Sequence, residues 1–369
     1  MSQPIRVLQV FAQMNRHGSE SMIMSMYRNI DRSKVQFDFI VHTTDKCDYD
    51  EEIESLGGRI YSIPRYTGTN HFLYKKAWHN FLKQHSDYKI IHGHIRSTAS
   101  IYLKIAKKYG LITIAHSHNT SSGAGFSAIV KNIYQYPIRY IVDYLFACSK
   151  SAGTWLFGER ACRKDNFFIL NNAIDTKKFI YNENKRIEKR KEFQIEDKFV
   201  IGHVGRFHTQ KNHEFLIDIF KAVHDKNPNT VLLLIGDGEC RTKIEQKVKL
   251  CQLTRSVLFA GVRTDVEELY QAMDIFVFTS FYEGLGIVVV EAQTAGLHCV
   301  VADTVPEEAF ITGLIETVSL KESADVWATR ILKYSEGYDR LNMQKQIQTA
   351  RYDIKEMAMW MEQFYIEKG

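Results

Sequence analysis

The sequence has few of the residues that interrupt or cross-link a globular chain. Its 369 residues include only five prolines and 21 glycines, which excludes a low-complexity or disordered chain. Six cysteines are scattered and form no Cys-x-x-Cys pair, so neither a disulfide framework nor a zinc ribbon is predicted. No run of about 18 uncharged apolar residues is present, so no membrane span is predicted. The opening residues lack the basic start of a signal peptide. We therefore expect a cytoplasmic protein.

The net charge of +5 conceals an uneven distribution. Residues 1–181 carry 24 Lys and Arg against 14 Asp and Glu, whereas residues 182–369 carry 24 against 29. A basic first half is typical of a protein that meets an anionic partner there, such as a membrane surface or a phosphorylated substrate. Ordinary solvated lysine explains the same pattern, and this alternative stays open. Nucleic acid is not an expected partner, because no basic helix or RNA-binding signature is present.

Short apolar runs rich in Val and Ile alternate with helical stretches in both halves of the chain. This alternation predicts two Rossmann-like domains, whose parallel sheets are covered by helices on both faces. We place them at 1–175 and 199–350, with a linker and surface helix at 176–198 and a terminal helix at 351–369. Ligands are expected beyond the carboxyl ends of the strands, in a cleft between the domains. The predicted strands are Ile5–Phe11, Val35–His42, Lys89–Ile95, Leu111–His116, Tyr144–Cys148, Phe199–Gly205, Thr230–Ile235, Val257–Gly261, Ile275–Thr279 and His298–Ala302.

Two cations follow the first predicted strand of the second half. Gly205 lets the backbone approach a ligand, and Arg206 offers a planar fork of donors. Lys211 adds a point charge just before a predicted helix start at Asn212. These are the groups that a diphosphate requires, although two surface cations would explain them without a ligand. The next strand ends in the turn Gly236-Asp237-Gly238, which is common in α/β proteins and is weak evidence alone.

A glycine-rich loop with two glutamates follows the strand at 275–279. It runs Ser280-Phe-Tyr-Glu283-Gly284-Leu285-Gly286-Ile287-Val-Val-Val-Glu291. The free N–H groups of a helix that starts near Gly286 can bind phosphate oxygens, aided by the helix dipole. Glu283 in the loop can hold sugar hydroxyls, and Glu291 inside the helix can accept both hydroxyls of a ribose. Surface glutamates alone would not explain the glycines and apolar residues around them.

With these motifs the second half resembles the donor domain of the family 4 retaining glycosyltransferases. The resemblance implies the GT-B fold, an α/β architecture in which two Rossmann-like domains have parallel sheets that face each other across a cleft. It implies no metal and no other cofactor, main-chain reading of the nucleotide base, and a terminal helix that packs on the first domain. The implied donor-binding residues are Gly205, Arg206, Lys211, Gly261, Val262, Arg263, Glu283, Gly284, Leu285, Gly286, Ile287 and Glu291.

The first half resembles the acceptor domain of the same family. Residues 14–20 look like the glycine-containing loop after the first strand. His17 stands where the first glycine is expected, and Gly18 keeps the second, which lets donor phosphate and acceptor approach the backbone. The resemblance therefore adds Gly18 to the donor-binding residues and covers nearly the whole chain.

Residues 115–120 resemble the histidine-containing loop at the family's reaction centre. We expect His116 and His118, two residues apart at a strand end, to point to opposite sides, so that only one lines the site. We favour His118 as the catalytic residue because it is nearer the loop, with His116 as the alternative. A zinc site formed with His92 and His94 is a further alternative, but no carboxylate or cysteine completes a convincing set. We expect no metal.

Residues 126–148 combine aromatic and branched apolar residues with Lys131 and Arg139, and Lys150 follows them. This composition predicts either an amphipathic helix that lies on an anionic membrane face or a core helix with a polar outer stripe. The membrane alternative would place the protein at the inner face of the cytoplasmic membrane.

The resemblance implies a reaction in which Arg206 and Lys211 stabilise the departing nucleotide while His118 and Glu283 position the sugar. Configuration is retained without a protein nucleophile. We expect transfer of a hexose or N-acetylhexosamine from a nucleotide diphosphate sugar, a UDP-sugar, to a saccharide or polyprenyl-diphosphate-linked acceptor in bacterial surface polysaccharide biosynthesis. The alternatives are a sugar-nucleotide 2-epimerase of GT-B-like fold and a non-catalytic partner of an active subunit.

Overall fold

The computed structural model describes residues 3–118 and 126–369, without the side chains of residues 126–128. The chain divides into two compact units. The first unit contains residues 1–174 and 351–369, and the second contains residues 175–350. In the described ranges no helix is both long enough and apolar enough to cross a membrane.

The first unit is a seven-stranded parallel sheet in the order β3-β2-β1-β4-β5-β6-β7. Its strands are β1 Ile5–Val10, β2 Val35–Val41, β3 Ile60–Ser62, β4 Ile90–Gly93, β5 Ile112–Ser117, β6 Tyr144–Ala147 and β7 Phe167–Ile169. Its helices are α1 Gly18–Asn29, α2 Asp50–Ser55, α3 His71–Gln84, α4 Ala99–Lys108, α5 Phe126–Gln135, α6 Ile138–Ile141, α7 Lys150–Phe157 and the terminal α16 Ile354–Lys368, with a 3-10 helix at Ala161–Arg163.

The sheet of the first unit is covered on both faces. Every residue of β2 is buried, as expected for a parallel strand between two helical layers. One face packs on Trp78 and Tyr102 from α3 and α4. The other packs on α1 and on α16, whose Met361 and Tyr365 are fully buried. The terminal helix is therefore part of the core of the first unit.

The second unit is a six-stranded parallel sheet in the order β10-β9-β8-β11-β12-β13. Its strands are β8 Phe199–Val204, β9 Thr230–Ile235, β10 Val257–Gly261, β11 Ile275–Phe278, β12 Cys299–Ala302 and β13 Ile315–Val318. Its helices are α8 Thr176–Phe179, α9 Glu183–Phe193, α10 His213–Lys226, α11 Arg241–Leu250, α12 Val266–Ala272, α13 Ile287–Thr294, α14 Ala324–Leu332 and α15 Gln344–Thr349, with 3-10 helices at Thr209–Lys211 and Glu307–Ala309.

In each sheet the strand order reverses at one point. The reversal falls between β1 and β4 in the first unit and between β8 and β11 in the second. Connections diverge there, and the carboxyl ends of the two strands leave a crevice that ligands use in open α/β sheets. Most candidate residues follow these four strands or β5, which is the neighbour of β4. Gly261, Val262 and Arg263 instead lie at the end of β10, the edge strand of the second sheet.

Residues 176–198, expected as a linker with a surface helix, form α8 and α9 within the second unit. Although α9 is rich in charge, Lys189 and Arg190 are buried. Arg186 Nη2 lies 2.5 Å from an Asp274 carboxylate oxygen, and Arg190 pairs with the other oxygen. Lys189 Nζ lies 2.6 Å from Asp265. These ion pairs fix α9 to the sheet, which composition alone did not indicate.

One prediction about the first unit was wrong. Residues 126–148 do not form one amphipathic helix: α5 ends at Gln135, Pro137 precedes the short α6, and Tyr144–Ala147 is strand β6. Proline lacks the N–H that would continue the hydrogen bonds of a helix, which explains the break.

Three edge strands were not predicted: β3 and β7 in the first unit and β13 in the second. Each has only three or four residues, which is too short for a recognisable hydrophobic pattern.

Candidate active site

In the second unit, an ion pair joins the two loops that carry the predicted donor residues. Because β8 and β11 are neighbours, the loops that follow them meet at the sheet edge. Lys211 Nζ lies 2.6 Å from Glu283 Oε1, and their side chains are only 17% and 8% exposed. The Lys211 ammonium also lies 4.8 Å from the centre of the Phe278 ring. The loops therefore present one cation whose charge is already balanced by a neighbouring carboxylate.

Three further hydrogen bonds hold these loops together. The Thr279 hydroxyl donates to the carbonyl of Lys211 at 3.2 Å. The Gln210 side-chain amide donates to the Tyr282 carbonyl at 2.7 Å, and the Phe281 N–H donates to the Gln210 carbonyl at 2.8 Å. Rigid loops keep donor groups in place before the ligand arrives, which reduces the cost of reorganisation. Thr279 and Gln210 were not predicted as site residues, because neither belongs to a recognisable motif.

Glycine is required at position 236 because the backbone of another segment packs directly against it. Gly236 has φ +130°, and a Cβ there would lie 2.2 Å from the Gly205 carbonyl oxygen. Gly238 has a similar restriction, since its Cβ would lie 2.5 Å from the Phe207 carbonyl oxygen. The turn that was weak evidence in the sequence thus lets the Gly205–Phe207 segment pack against the end of β9.

The helix α13 begins directly after Gly286, whose φ of +83° makes it a left-handed N-cap. A non-glycine residue would be strained there. The first N–H groups of α13, including those of Ile287 and Val288, have no carbonyl partner within the helix, as at any helix N-terminus. A Cβ at Gly284 would have no atom within 4 Å, so the space before the helix is open to a ligand.

Glu291 lies on the second turn of α13 and accepts a hydrogen bond from the Tyr270 hydroxyl at 2.8 Å. Burial raises the pKa of Glu291 to about 7, and the bond from Tyr270 acts against this shift. The free protein therefore holds a carboxyl group that is close to half ionised at neutral pH. Two hydroxyl donors from a ligand would favour its ionised form.

The two predicted arginines differ in how freely they can reach a ligand. Arg206 has a side chain that is 71% exposed and lies 3.3 Å from Glu239, an exposed pair that contributes little stability. Arg263 forms a fork with Asp265, at 2.7 and 2.8 Å, and also contacts Glu192. Arg206 can therefore turn to a phosphate, whereas Arg263 offers its main chain beside Gly261 and the exposed Val262.

In the first unit, four histidine rings form one stack at the ends of β4 and β5. His92 lies in β4, and His94 directly follows that strand. His116 lies in β5, and His118 directly follows that strand. Ring centres lie 4.4 Å apart for His92 and His94 and 4.0 Å apart for His116 and His118. Residues 119 and 120, which complete the predicted reaction-centre loop, lie outside the described residues.

The expectation that His116 and His118 point to opposite sides was wrong. Side chains alternate along a strand, so residues i and i+2 share a face. His116 is buried and its two ring nitrogens have no hydrogen-bond partner among the described residues. His118 is half-buried and its Nε2 lies 2.7 Å from His94 Nδ1. The rings are therefore neighbours at different depths, and His118 is the more accessible of the two.

A chain of hydrogen bonds fixes which nitrogen of His118 carries a proton. The Gln9 side-chain amide donates through Nε2 to the Tyr365 hydroxyl at 3.3 Å, so its Oε1 accepts from His94 Nε2 at 2.9 Å. A neutral His94 then has its lone pair on Nδ1 and accepts from His118 Nε2. The remaining nitrogen of His118, Nδ1, is left unprotonated and able to accept a hydrogen bond.

All four histidines are neutral at physiological pH. Burial, followed by the charge of Arg96, lowers the pKa of His118 to about 3. Burial also holds the pKa of His92, His94 and His116 well below the usual value. The stack is thus a neutral polar site and offers no general acid near pH 7.

Three of these rings, His92, His94 and His116, bring ligand atoms within 4.8 Å of one another. A tetrahedral ion with bonds of about 2.0 Å needs lone pairs that converge on one point. The rings of His92 and His116 are stacked with an interplanar angle of 12°, and a nitrogen lone pair lies in its ring plane. Lone pairs of parallel rings point side by side, so this arrangement does not form a metal site without rotation of the rings.

Gly18 is the first residue of α1, with His17 as the N-cap. A Cβ at Gly18 would have no atom within 4 Å, so the protein itself does not require glycine there. The role of Gly18 in donor binding stays a prediction.

Two family models match the chain almost from end to end. Residues 16–178 match the model described as Glycosyltransferase Family 4, and residues 184–351 match the model described as Glycosyl transferases group 1. These ranges correspond closely to the first and second units.

Comparison with individual proteins also finds glycosyltransferases. EpsF of Bacillus subtilis, which is named as a glycosyltransferase, is 36% identical over 334 residues, 89% of this chain and 87% of EpsF. UDP-Gal:alpha-D-GlcNAc-diphosphoundecaprenol alpha-1,3-galactosyltransferase of Escherichia coli is 26% identical over 228 residues, 58% of each chain. The structure of Anabaena HepE in complex with UDP and glucose superposes with a TM-score of 0.76 over 98% of this chain and 99% of HepE, at 18% identity.

Proposed function

Since this chain belongs to the family 4 glycosyltransferases, we propose that it transfers a hexose or N-acetylhexosamine from a UDP-sugar to a lipid-linked saccharide, with retention of anomeric configuration. The single observation that carries the proposal is the arrangement in the second unit, where Lys211, Glu283 and the N-terminus of α13 meet at one sheet edge. HepE, which has the same fold, was solved with UDP and glucose, and this supports a UDP-sugar as donor.

Donor binding begins with the diphosphate. Arg206 leaves its weak contact with Glu239 and supplies a fork of N–H donors to the phosphate oxygens. The first N–H groups of α13 bind further oxygens. Lys211 shares its charge between the phosphate and Glu283, which frees a carboxylate oxygen of Glu283 to accept hydrogen bonds from sugar hydroxyls. Glu291, once ionised, accepts the two hydroxyls of the ribose.

Bond cleavage places negative charge on the β-phosphate oxygen as the nucleotide departs. Fixed positive groups stabilise this charge more strongly in a site shielded from water than in solution. Arg206, Lys211 and the helix dipole of α13 perform this role, so the proposed mechanism needs no divalent ion. A chelator should therefore leave turnover unchanged, and loss of turnover that added Mg²⁺ or Mn²⁺ restores would contradict this part of the proposal.

The acceptor is assigned to the first unit. His118 Nδ1, unprotonated and held in position through His94 and Gln9, accepts a hydrogen bond from a hydroxyl of the reacting sugars. Retention follows if the acceptor hydroxyl attacks from the face that the nucleotide leaves, its proton passing to a departing phosphate oxygen. No protein nucleophile is then required. The galactosyltransferase of Escherichia coli is named for a diphosphoundecaprenol-linked acceptor, which supports a lipid-linked saccharide here.

The first unit also carries the surface that we assign to the membrane. Four side chains on and between α5 and α6, each more than half exposed, form what we call the aromatic patch: Ile129, Ile133, Tyr136 and Tyr140. They are 57%, 66%, 54% and 71% exposed, and the exposed Lys131 lies among them on α5. Aromatic and basic residues together favour an anionic interface. Replacement of Ile133 and Tyr140 by Ser should abolish co-sedimentation with phosphatidylglycerol vesicles. Ile187→Ser, at an exposed position of α9 in the second unit, should retain it.

A donor panel with a diphosphate-linked saccharide acceptor tests the function directly. We expect turnover with a UDP-sugar, and a product whose new glycosidic bond keeps the anomeric configuration of the donor in its proton NMR spectrum. An inverted product would contradict retention. Conversion of UDP-N-acetylglucosamine without acceptor would instead identify a 2-epimerase. Donor binding without turnover of any kind would favour a non-catalytic partner.

A further inference from the structure

An apolar groove runs along the outer edge of the first unit's sheet, where β7 is the last strand. Its volume is about 1090 Å³, at the upper end of the range of roughly 300–1,000 Å³ for small-molecule sites. Its floor comes from β7 and α16 and consists of Phe167, Phe168, Ile169, Met357 and Trp360. Trp360 is 37% exposed, and its ring centre lies 5.4 Å from that of Phe168. No residue assigned above to donor binding or catalysis is among its described lining.

Two cations stand at one end of the groove. Lys150 is the first residue of α7, directly after β6. Arg351 lies at the carboxyl end of β7, where the Asn171 side-chain amide donates to its carbonyl oxygen at 3.3 Å. Within residues 3–118 and 126–369, neither cation is in an ion pair, although Glu356 on the first turn of α16 also lines the groove. Apolar surface with two unpaired cations at one end matches an amphiphile whose head group is anionic.

Arg351 adopts an unusual backbone conformation. Its φ is +63°, a left-handed region that costs energy for a non-glycine residue. The residues that follow Arg351 are tied to the chain after β7: the Ile174 N–H donates to the Tyr352 carbonyl and the Ile354 N–H to the Ile174 carbonyl, both at 2.8 Å. A glycine would fit this position without strain, so the arginine side chain is the feature that requires a reason.

The cationic end of the groove lies on the same sheet edge as His118. Strands β5, β6 and β7 are adjacent and parallel, and their carboxyl ends precede His118, Lys150 and Asn171. Neighbouring strands are about 4.8 Å apart, so the ends of β5 and β7 are separated by about 10 Å. A diphosphate held by Lys150 and Arg351 would leave an attached saccharide within reach of His118.

The opposite end of the groove lies near α6, the short helix that carries Tyr140 of the aromatic patch. Arg139 on α6 donates to the Leu156 carbonyl at 3.0 Å, which fixes α6 against the last turn of α7. The groove continues past that turn to Glu159 and Arg163. A membrane surface that contacts the patch would therefore lie beside the entrance of the groove.

On the premise that the protein transfers sugar to a lipid-linked saccharide, we propose that this groove binds the isoprenoid chain of the acceptor, with the acceptor diphosphate at Lys150 and Arg351. The first isoprenoid units lie on Phe168, Ile169 and Trp360, and the rest of the chain leaves toward the membrane. The groove thus distinguishes a long-chain acceptor from a short, water-soluble one.

The test compares acceptors that differ only in chain length: an undecaprenyl and an octyl diphosphate, each carrying the same saccharide, in one detergent. We expect the full-length protein to prefer the undecaprenyl acceptor in kcat/KM. Ile169→Glu places a charge on the groove floor and should reduce this preference by about tenfold, equivalent to about 1.4 kcal/mol. Ile366→Glu is the matched control, because Ile366 is 38% exposed against 40% for Ile169 and lies on α16 outside the groove. It should keep the preference.

A second pair of variants tests the cations. Arg351→Gly removes the charge and suits the positive φ, so the fold is retained. Gln252→Gly, at φ +59° in the second unit, controls for the backbone change. Binding of undecaprenyl phosphate, which carries no sugar, should weaken about tenfold for Arg351→Gly, as expected for loss of one charge-assisted contact. Gln252→Gly should bind it like the unaltered protein.

These experiments distinguish failure of the groove assignment from failure of the proposed function. Equal use of both acceptors by the unaltered protein would overturn the groove assignment and leave the transferase function intact. An Ile169→Glu variant that keeps its preference would do the same. Displacement of undecaprenyl phosphate by an equal concentration of phosphatidylglycerol would show a general lipid site and overturn the acceptor assignment. If neither acceptor is glycosylated with any donor, the proposed function fails instead, and the undecaprenyl phosphate titration still decides whether the groove binds prenyl chains.

Discussion

The two units form their candidate sites from different chemistry. In the second unit the side chains are charged and paired with one another, as Lys211 is with Glu283 and Arg206 with Glu239. In the first unit they are neutral imidazoles in a buried stack, oriented by Gln9 and Tyr365. Charged groups suit a diphosphate that gains charge as the reaction proceeds. Neutral imidazoles suit sugar hydroxyl groups, which carry no charge and have to be oriented by hydrogen bonds.

This contrast is tested most severely at Lys211, where the largest effect is expected. Lys211→Ala removes a cation from the departing phosphate and should lower kcat by about 10²–10³-fold. It also leaves Glu283 mostly buried without a partner, and the free energy of unfolding should fall by about 3 kcal/mol. Thermal unfolding and donor-transfer assays measure the two effects separately.

The double variant Lys211→Met with Glu283→Gln separates stability from catalysis. It removes both charges together, so most of the stability should return while turnover stays low. Recovery of turnover along with stability would show that the pair serves only the fold.

Arg206 gives the next largest effect without a change in stability. Its side chain is 71% exposed, so Arg206→Ala should leave the unfolding temperature unchanged and lower kcat by about 10²-fold. Arg241→Ala is the control, since Arg241 lies on the neighbouring helix and pairs only with exposed carboxylates. Equal losses for both variants would mean a general electrostatic effect rather than a phosphate contact.

In the first unit we expect effects no larger than that of Arg206→Ala, and they should decrease with distance from the reacting groups. His118→Ala should reduce turnover by roughly 10²-fold. Gln9→Leu leaves His118 in place but removes the acceptor that fixes the tautomer of His94, and should cost about tenfold, the value of one or two hydrogen bonds. Steady-state kinetics with saturating donor measures both. A Gln9→Leu variant with full activity would contradict the hydrogen-bond chain.

The smallest effect concerns pH and depends on Glu291. Its carboxyl group has a pKa of about 7 in the free protein and must ionise to accept two ribose hydroxyls. Donor affinity should therefore be highest above pH 7 and fall as pH decreases through 7, by up to about tenfold per unit. The histidines do not contribute in this range, because the pKa of His118 is about 3. Glu291→Gln should flatten the profile, and an unchanged profile in that variant would assign the titration elsewhere.

The same contrast explains what the sequence could predict. Most of the candidate donor residues form short motifs after β8 and β11, so their spacing marked them as candidates without tertiary information, whereas Gly18, Gly261, Val262 and Arg263 were predicted only from the family resemblance. The partner of Glu291, Tyr270, lies 21 residues away on another helix and has no local signal. Tyr365 reaches His92 across 273 residues, which only the tertiary packing of α16 reveals.

The groove illustrates the same limit. It depends on β7, a strand of three residues at the sheet edge, and on a helix from the far end of the chain. Neither periodicity nor a motif marks such a juxtaposition. The wrong orientation predicted for His116 and His118 did not arise from this limit. Side chains alternate along a strand, so the sequence alone already places residues i and i+2 on one face.

The most direct test of the central claim is the affinity of the protein for a nucleoside diphosphate relative to its monophosphate. Titration calorimetry with UDP and UMP gives this ratio for the unaltered protein and for Arg206→Ala. If Arg206, Lys211 and the start of α13 hold the β-phosphate, UDP should bind at least about tenfold more tightly than UMP. The ratio should fall toward one in Arg206→Ala. Equal affinities for UDP and UMP in the unaltered protein, or an undiminished ratio in the variant, would contradict a diphosphate site at this sheet edge.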